Sequence, residues 1–152
     1  MVFGKELAVI FTGALPISEL RGAIPLAIGF GFSISKSYFL SLFGNLIPVV
    51  PVLFFLRKLA QVFSEHSRWG KNFFDWLFMR TRRRSKIIER YGTIGLTIFV
   101  AIPLPFTGAW TGCVAAVLLG LPKGLAILAI TAGVVLAGVI VTLATLGVVS
   151  IF

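Results

Sequence analysis

Pro16-Ile17-Ser18-Glu19-Leu20-Arg21-Gly22-Ala23-Ile24-Pro25 sits in the middle of an apolar block that runs from residue 7 to residue 32. Without it, the block would read as one membrane-crossing helix. With it, the block holds two prolines, a carboxylate and a guanidinium where a bilayer centre would be. Charged groups at that depth are costly, so they are expected to be paired or functional. Backbone broken by proline leaves unpaired polar groups, which must face protein or a wet cavity.

Three further apolar blocks follow. Residues 37–56 form a run of about 20, long enough to span. Pro48 and Pro51 are expected to kink it. Residues 92–121 are interrupted by Pro103, Pro105, Thr107 and Gly108. Residues 124–149 are an unbroken run rich in Ala, Val, Leu and Gly. The order is broken, intact, broken, intact, with a basic connection at the centre.

That order suggests two copies of one unit. At an offset of 89, Leu15-Pro16 matches Leu104-Pro105, Gly31 matches Gly120, and both intact runs follow a lysine, Lys36 and Lys123. A rival offset of 78 pairs Ala23-Ile24-Pro25-Leu26 with Ala101-Ile102-Pro103-Leu104. Offset 89 is preferred because it keeps the block lengths in step.

Length constrains the broken blocks. Residues 92–121 would make a helix of about 45 Å at about 1.5 Å per residue. Two full spans need about 40 residues plus a turn. A re-entrant hairpin of two half-helices fits better, with Pro16, Pro25, Pro103 and Pro105 as its structural prolines. A hairpin plus a span crosses the membrane an odd number of times, so the two copies must be inverted, a transporter architecture. The rival topology makes each broken block one kinked span, with both termini on the side of the connection.

The expected fold is therefore an all-α polytopic membrane protein of two inverted repeats. Each repeat is a re-entrant helical hairpin plus a transmembrane helix. Repeat one covers 5–56, the connection 57–90 and repeat two 91–149, in a single membrane domain, 1–152.

Composition agrees. The 152 residues are 58% hydrophobic and only 12% charged, too few charges to cover a soluble domain. The net charge of +9 suggests a nucleic-acid surface until it is located. Residues 57–90 hold ten basic and three acidic residues, a net +7. Such a basic connection between apolar blocks is the positive-inside signal. It places 57–90 in the cytoplasm of a multi-pass inner-membrane protein and argues against nucleic acid. Within it, Leu59, Val62 and Phe63, and then Trp69, Phe73, Trp76 and Leu77, share helical spacing, followed by the cluster from Arg80 to Lys86. An amphipathic helical segment of this kind suits lipid headgroups or the protein's own cytoplasmic face. His66 is read as solvated. Lys5 and the run from Leu7 to Leu15 resemble a signal peptide, but no convincing cleavage site follows, so the segment is read as retained. The single cysteine, Cys113, cannot form an intrachain disulfide and reads as a packing residue.

Outside 57–90 the acids are Glu6 and Glu19, and the one arginine is Arg21. Glu19 is the candidate proton carrier, since intramembrane carboxylates mark proton relays. Arg21 is the candidate anion contact. Ser18 is positioned to cap a half-helix starting near Glu19, and Thr107 to cap its counterpart; helix starts of this kind bind anions. Gly22 and Gly108 let backbone approach a substrate, and Trp110 offers an apolar wall. The structural alternative stays open: Glu19 and Arg21 neutralise one another, and the small residues pack the hairpin tips. No histidine cluster, close acid pair or metal-ligand spacing is present, so neither an enzyme nor a metal or cofactor is expected.

Ile17-Ser18-Glu19-Leu20-Arg21-Gly22-Ala23-Ile24-Pro25 and Ala101-Ile102-Pro103-Leu104-Pro105-Phe106-Thr107-Gly108-Ala109-Trp110-Thr111-Gly112 resemble the two signatures of the small multi-drug export proteins. Phe106 stands where that family usually has glycine. More remotely, Arg90-Tyr91-Gly92, Gly95-Leu96 and Ile102-Pro103 are similar to a pattern of the DedA (VTT-domain) membrane proteins. The arginines usual in the second DedA hairpin are missing from 101–112. The DedA resemblance implies inverted hairpins, proton coupling through acidic hairpin residues and translocation of lipid-linked phosphates. The small multi-drug export resemblance implies efflux of lipophilic compounds.

The expected function is a proton-coupled transporter of an amphipathic or lipid-linked, polyprenyl-phosphate-like anion. The alternatives are multidrug efflux and a non-catalytic membrane scaffold or assembly protein. Membrane lipids are expected partners, and the small size suggests a homodimer.

Overall fold

The described residues form seven helices, most of them bounded by proline or glycine. A computed structural model describes residues 2–66, 72, 85–104 and 107–150. The helices are α1 (Val2–Ala14), α2 (Glu19–Gly29), α3 (Ile34–Leu46), α4 (Val49–His66), α5 (Ser85–Ala101), α6 (Ala109–Leu118) and α7 (Lys123–Val149). No strand occurs among the described residues. The aromatic face from Trp69 to Leu77, most of the Arg80–Lys86 cluster, and Pro105 with Phe106 lie outside them.

The helix ends follow from local chemistry. The Ser33 backbone is extended, and its hydroxyl accepts the Lys36 N–H at 3.4 Å, which starts α3. Pro48 and Pro51 lack N–H groups, so the carbonyls of Gly44 and Ile47 lose their helical donors. The break between α3 and α4 falls there, as expected. Residues 34–62 are nevertheless long and apolar enough, taken together, to cross a membrane, and so is α7. Pro25 lies inside α2 and removes the donor for the Arg21 carbonyl.

Offset 89 recurs in the backbone. At the end of α2, Phe30, Gly31 and Phe32 donate to the carbonyls of Leu26, Ile28 and Ala27. At the end of α6, Leu119, Gly120 and Leu121 donate to Ala115, Val117 and Ala116, each pair 89 residues on. Gly31 and Gly120 both take positive φ, +81° and +64°, as this helix end requires. The helices that follow start in step, at Ile34 and Lys123. The tetrapeptides paired at offset 78 differ in conformation: Ala23–Leu26 is helical, whereas the chain leaves α5 at Ala101 and is irregular through Leu104.

The helices pack closely. A Cβ on Gly44 would collide with the Ile10 carbonyl, so α3 lies directly on the backbone of α1. Gly133 repeats this 89 residues later, where a Cβ would stand 2.8 Å from the Thr97 carbonyl of α5. Glu6 and Lys36 pair between α1 and α3. The Tyr38 hydroxyl donates to the Val135 carbonyl at 3.0 Å, joining α3 to α7. The larger core gathers Leu20, Ile24, Leu53, Leu96, Val100 and Ile130 between the helices.

The outer surface is apolar. Phe3, Phe11, Phe39, Phe43, Leu128 and Leu143 are 61% to 72% exposed. In water each would forfeit on the order of 1–2 kcal/mol of burial. A surface built this way is solvated by lipid.

Candidate functional site

The segments 15–18 and 102–108 join the arms of two helix pairs, α1 with α2 and α5 with α6. Their tips meet, and the polar residues singled out from sequence lie at the meeting point.

Glu19 opens α2 and is 5% exposed, with φ +44°. Its carboxylate lies across the gap, on the first turn of α6. Oε1 accepts the Trp110 N–H at 3.4 Å, and the Ala109 N–H also donates to the carboxylate. The first N–H groups of a helix have no partner of their own, and the helix dipole favours a negative charge there. The α6 N-terminus is thus filled by a carboxylate from the other helix pair.

Gly108 makes this approach possible. It precedes α6 with φ +148°, and a Cβ there would fall on the Glu19 carboxylate. Two more bonds cross the same gap. Arg21 Nη2 donates to the Thr107 carbonyl at 3.4 Å. The Trp110 indole N–H donates to the Ala14 carbonyl, in the last turn of α1, at 3.1 Å. Glu19 and Arg21 form no ion pair with each other; both reach the second helix pair. Trp110→Phe keeps the ring and removes the indole donor. It is expected to cost about 1 kcal/mol, measured as lowered thermal stability of the purified protein.

Glu19, Arg21, Thr107, Gly108 and Pro103 line one cavity of about 10 Å³, room for a single water at most. The pair of tips is closed.

Asn45 of α3 lines the same cavity, is 1% exposed, and its Oδ1 has no partner. The sequence reading missed it. Its signal was there: it is the one amide in the apolar run 37–56. Ser41 and Ser37 continue the same face of α3, both buried, both with unpartnered hydroxyls.

The other predicted residues stand around the cavity. The Ser18 hydroxyl donates to the Thr12 carbonyl at 2.7 Å and caps nothing. Its own backbone is already helical, which keeps the side chain from the free N–H groups of α2. Thr107 is not the cap of α6 either; Gly108 holds that position. The Thr107 hydroxyl instead closes its own loop, accepting the Leu104 N–H at 3.0 Å and donating to the Leu104 carbonyl at 2.9 Å. Gly22 packs within the first helix pair, where a Cβ would stand 2.7 Å from that of Ser18. Pro16 is exposed in its loop, and Pro25 faces outward from α2. Cys113 is buried with its thiol toward the Val49 carbonyl at 3.6 Å, a packing position.

Arg21 does not stand beside an open helix N-terminus. The α6 N-terminus is there, but Glu19 occupies it. The arrangement can exchange one anion for another at a helix N-terminus, with a guanidinium beside it.

The sequence profile of the family described as "Putative small multi-drug export protein" matches residues 19–140, which include every residue lining this cavity but Val141. No curated protein and no solved structure matches the chain.

Proposed function

The chain belongs to the small multi-drug export protein family, and from that premise we propose a proton-coupled membrane transporter whose cargo is an amphipathic or lipid-linked phosphate. The family's name describes export, which speaks for transport rather than catalysis. The observation that carries the reading is the Glu19 carboxylate on the α6 N-terminus.

A helix N-terminus with a guanidinium beside it is suited to a phosphate. Here the chain's own carboxylate holds that place. When Glu19 takes up a proton, the charge on the α6 amides is removed and a substrate anion can replace it. Arg21 leaves the Thr107 carbonyl and turns to the phosphate. When the proton departs, the carboxylate returns and displaces the anion. Proton and anion therefore bind together and leave together, and they move in the same direction. Asn45 supplies a further polar contact. The tips must part for any of this, because the closed cavity holds one water at most.

The topology in this reading is two inverted hairpin-plus-span repeats. Helices α1, α2 and α6 have 13, 11 and 10 residues, or about 15–20 Å, half of a bilayer core of about 30 Å. They are read as half-helices whose tips meet at depth. The basic connection lies in the cytoplasm and both termini on the other face. Cysteines placed at either terminus are expected to react with an impermeant reagent from outside intact cells, with little background from buried Cys113. Cytoplasmic labelling of both termini would establish four kinked spans instead.

The family name favours a second cargo, lipophilic cations. That reading needs a carboxylate free to meet a cation, and Glu19 is engaged by α6. Purified protein in liposomes separates the two. A polyprenyl-phosphate analogue is expected to cross at a rate that follows an imposed pH gradient, and a lipophilic cation is not. Flux of the cation alone would establish drug efflux. Flux of neither, with Glu19 and Arg21 freely replaceable in cells, would favour a scaffold.

A further inference from the structure

The outer side of α4 carries two neighbouring cavities that share Phe55, a charged end and an apolar end. The charged end, about 590 Å³, lies between α4 and the α6–α7 turn and is lined by Arg57, Lys58 and Lys123 over Phe54 and Phe55. Arg57 Nη2 donates to the Leu121 carbonyl, and its Nε–H is buried without a protein partner. The Lys123 ammonium stands 4.6 Å from the Phe54 ring centroid. The apolar end, about 500 Å³, lies between α4 and α6 along Pro51, Val52, Leu56 and Val114 to Trp110. Phe55 lines both.

Three cations face this space, and among the described residues no carboxylate lines it. The α2–α3 turn, its counterpart 89 residues earlier, differs. There Lys36 also lies over a phenylalanine, Phe32, but it is paired with Glu6. Among the described residues no carboxylate pairs with the charge at the α6–α7 turn.

We propose that the two cavities together bind one anionic phospholipid, with its phosphate among Arg57, Lys58 and Lys123 and an acyl chain over Phe55 toward Trp110. A guanidinium held by one backbone bond keeps other donors for a phosphate oxygen. A free phosphate satisfies the charged end and leaves the trough bare. An uncharged lipophile fills the trough and leaves three cations unanswered. A phospholipid satisfies both, and it is already in the surrounding bilayer. Neither Glu19 nor Arg21 lines this space, and Trp110, whose N–H donates to Glu19, borders its apolar end.

The test is native mass spectrometry of the purified full chain, titrated with phosphatidylglycerol and with phosphatidylcholine. The wild type is expected to retain phosphatidylglycerol about tenfold better. Arg57→Ala with Lys123→Ala should bring it down to the phosphatidylcholine level. Lys5→Ala, a cation over Phe30 on another part of the molecule, should change nothing. Val114→Trp, which fills the trough and keeps all three cations, should weaken phosphatidylglycerol as well. Equal retention of the two lipids by the wild type would overturn the proposal, and that comparison requires no variant to fold. Displacement of phosphatidylglycerol by excess inorganic phosphate would overturn it in favour of a simple anion site. Undiminished binding in the double variant would overturn the assignment of the cations.

Discussion

Gly108→Ala is expected to abolish transport and to destabilise the protein by about 2–4 kcal/mol, from backbone strain and the eviction of Glu19 combined. At φ +148° and ψ −163° the residue occupies a region that is essentially restricted to glycine. The new methyl group would also fall on the Glu19 carboxylate. The side chain would have to leave the α6 N-terminus, giving up its bonds to Ala109 and Trp110. A charged group would then be left in an apolar setting without donors, the costly outcome for a buried carboxylate. Thermal unfolding in detergent reads the stability, and flux in liposomes reads the function. An alanine variant of wild-type stability would show that Gly108 is not pressed against Glu19.

Glu19→Gln separates folding from function. The amide has the size of the carboxylate, and its oxygen can still accept the Trp110 N–H. The loss of charge–dipole attraction should cost no more than about 2 kcal/mol, so the protein is expected to fold. It cannot cycle a proton. The variant is held in the neutral form that admits an anion to α6, and nothing returns to displace it. Binding of a lipid phosphate should be kept or strengthened, while net flux falls to the level of empty liposomes. Arg21→Ala should do the reverse at the binding step, weakening the phosphate because the guanidinium is gone. Wild-type flux in the Gln variant would remove Glu19 from the mechanism.

Much of the polar cavity was legible because polar residues are conspicuous in an apolar block. Glu19 and Arg21 stand out in an apolar block, and both reach the second helix pair. The turns at Gly31 and Gly120 were legible for a different reason. A helix end in the left-handed region demands glycine, so the spacing of the two glycines carried the offset of 89 into the backbone.

What sequence could not supply was which partner each polar group takes. Ser18 and Thr107 are good capping residues by type, yet Ser18 stands at the N-cap of α2 without a side-chain cap bond, and Gly108 rather than Thr107 precedes α6. The cap of α6 comes from Glu19, 91 residues before Trp110 in the chain. No local rule reaches that far. Gly108 was read as a place where a substrate could approach, and the group that approaches it is the protein's own carboxylate. Asn45 was passed over because it lies in an otherwise ordinary span, and its importance comes only from the cavity it faces.

In the proposed cycle a proton on Glu19 and an anion at the α6 N-terminus bind and move together. The direct measurement follows internal pH in liposomes while a polyprenyl-phosphate analogue crosses, with no initial pH gradient. Linkage at a shared site predicts about one proton carried in the same direction per phosphate, so the receiving compartment acidifies, and Glu19→Gln shows no such acidification. Flux of the phosphate with no proton movement, or alkalinisation of the receiving compartment, would contradict the account.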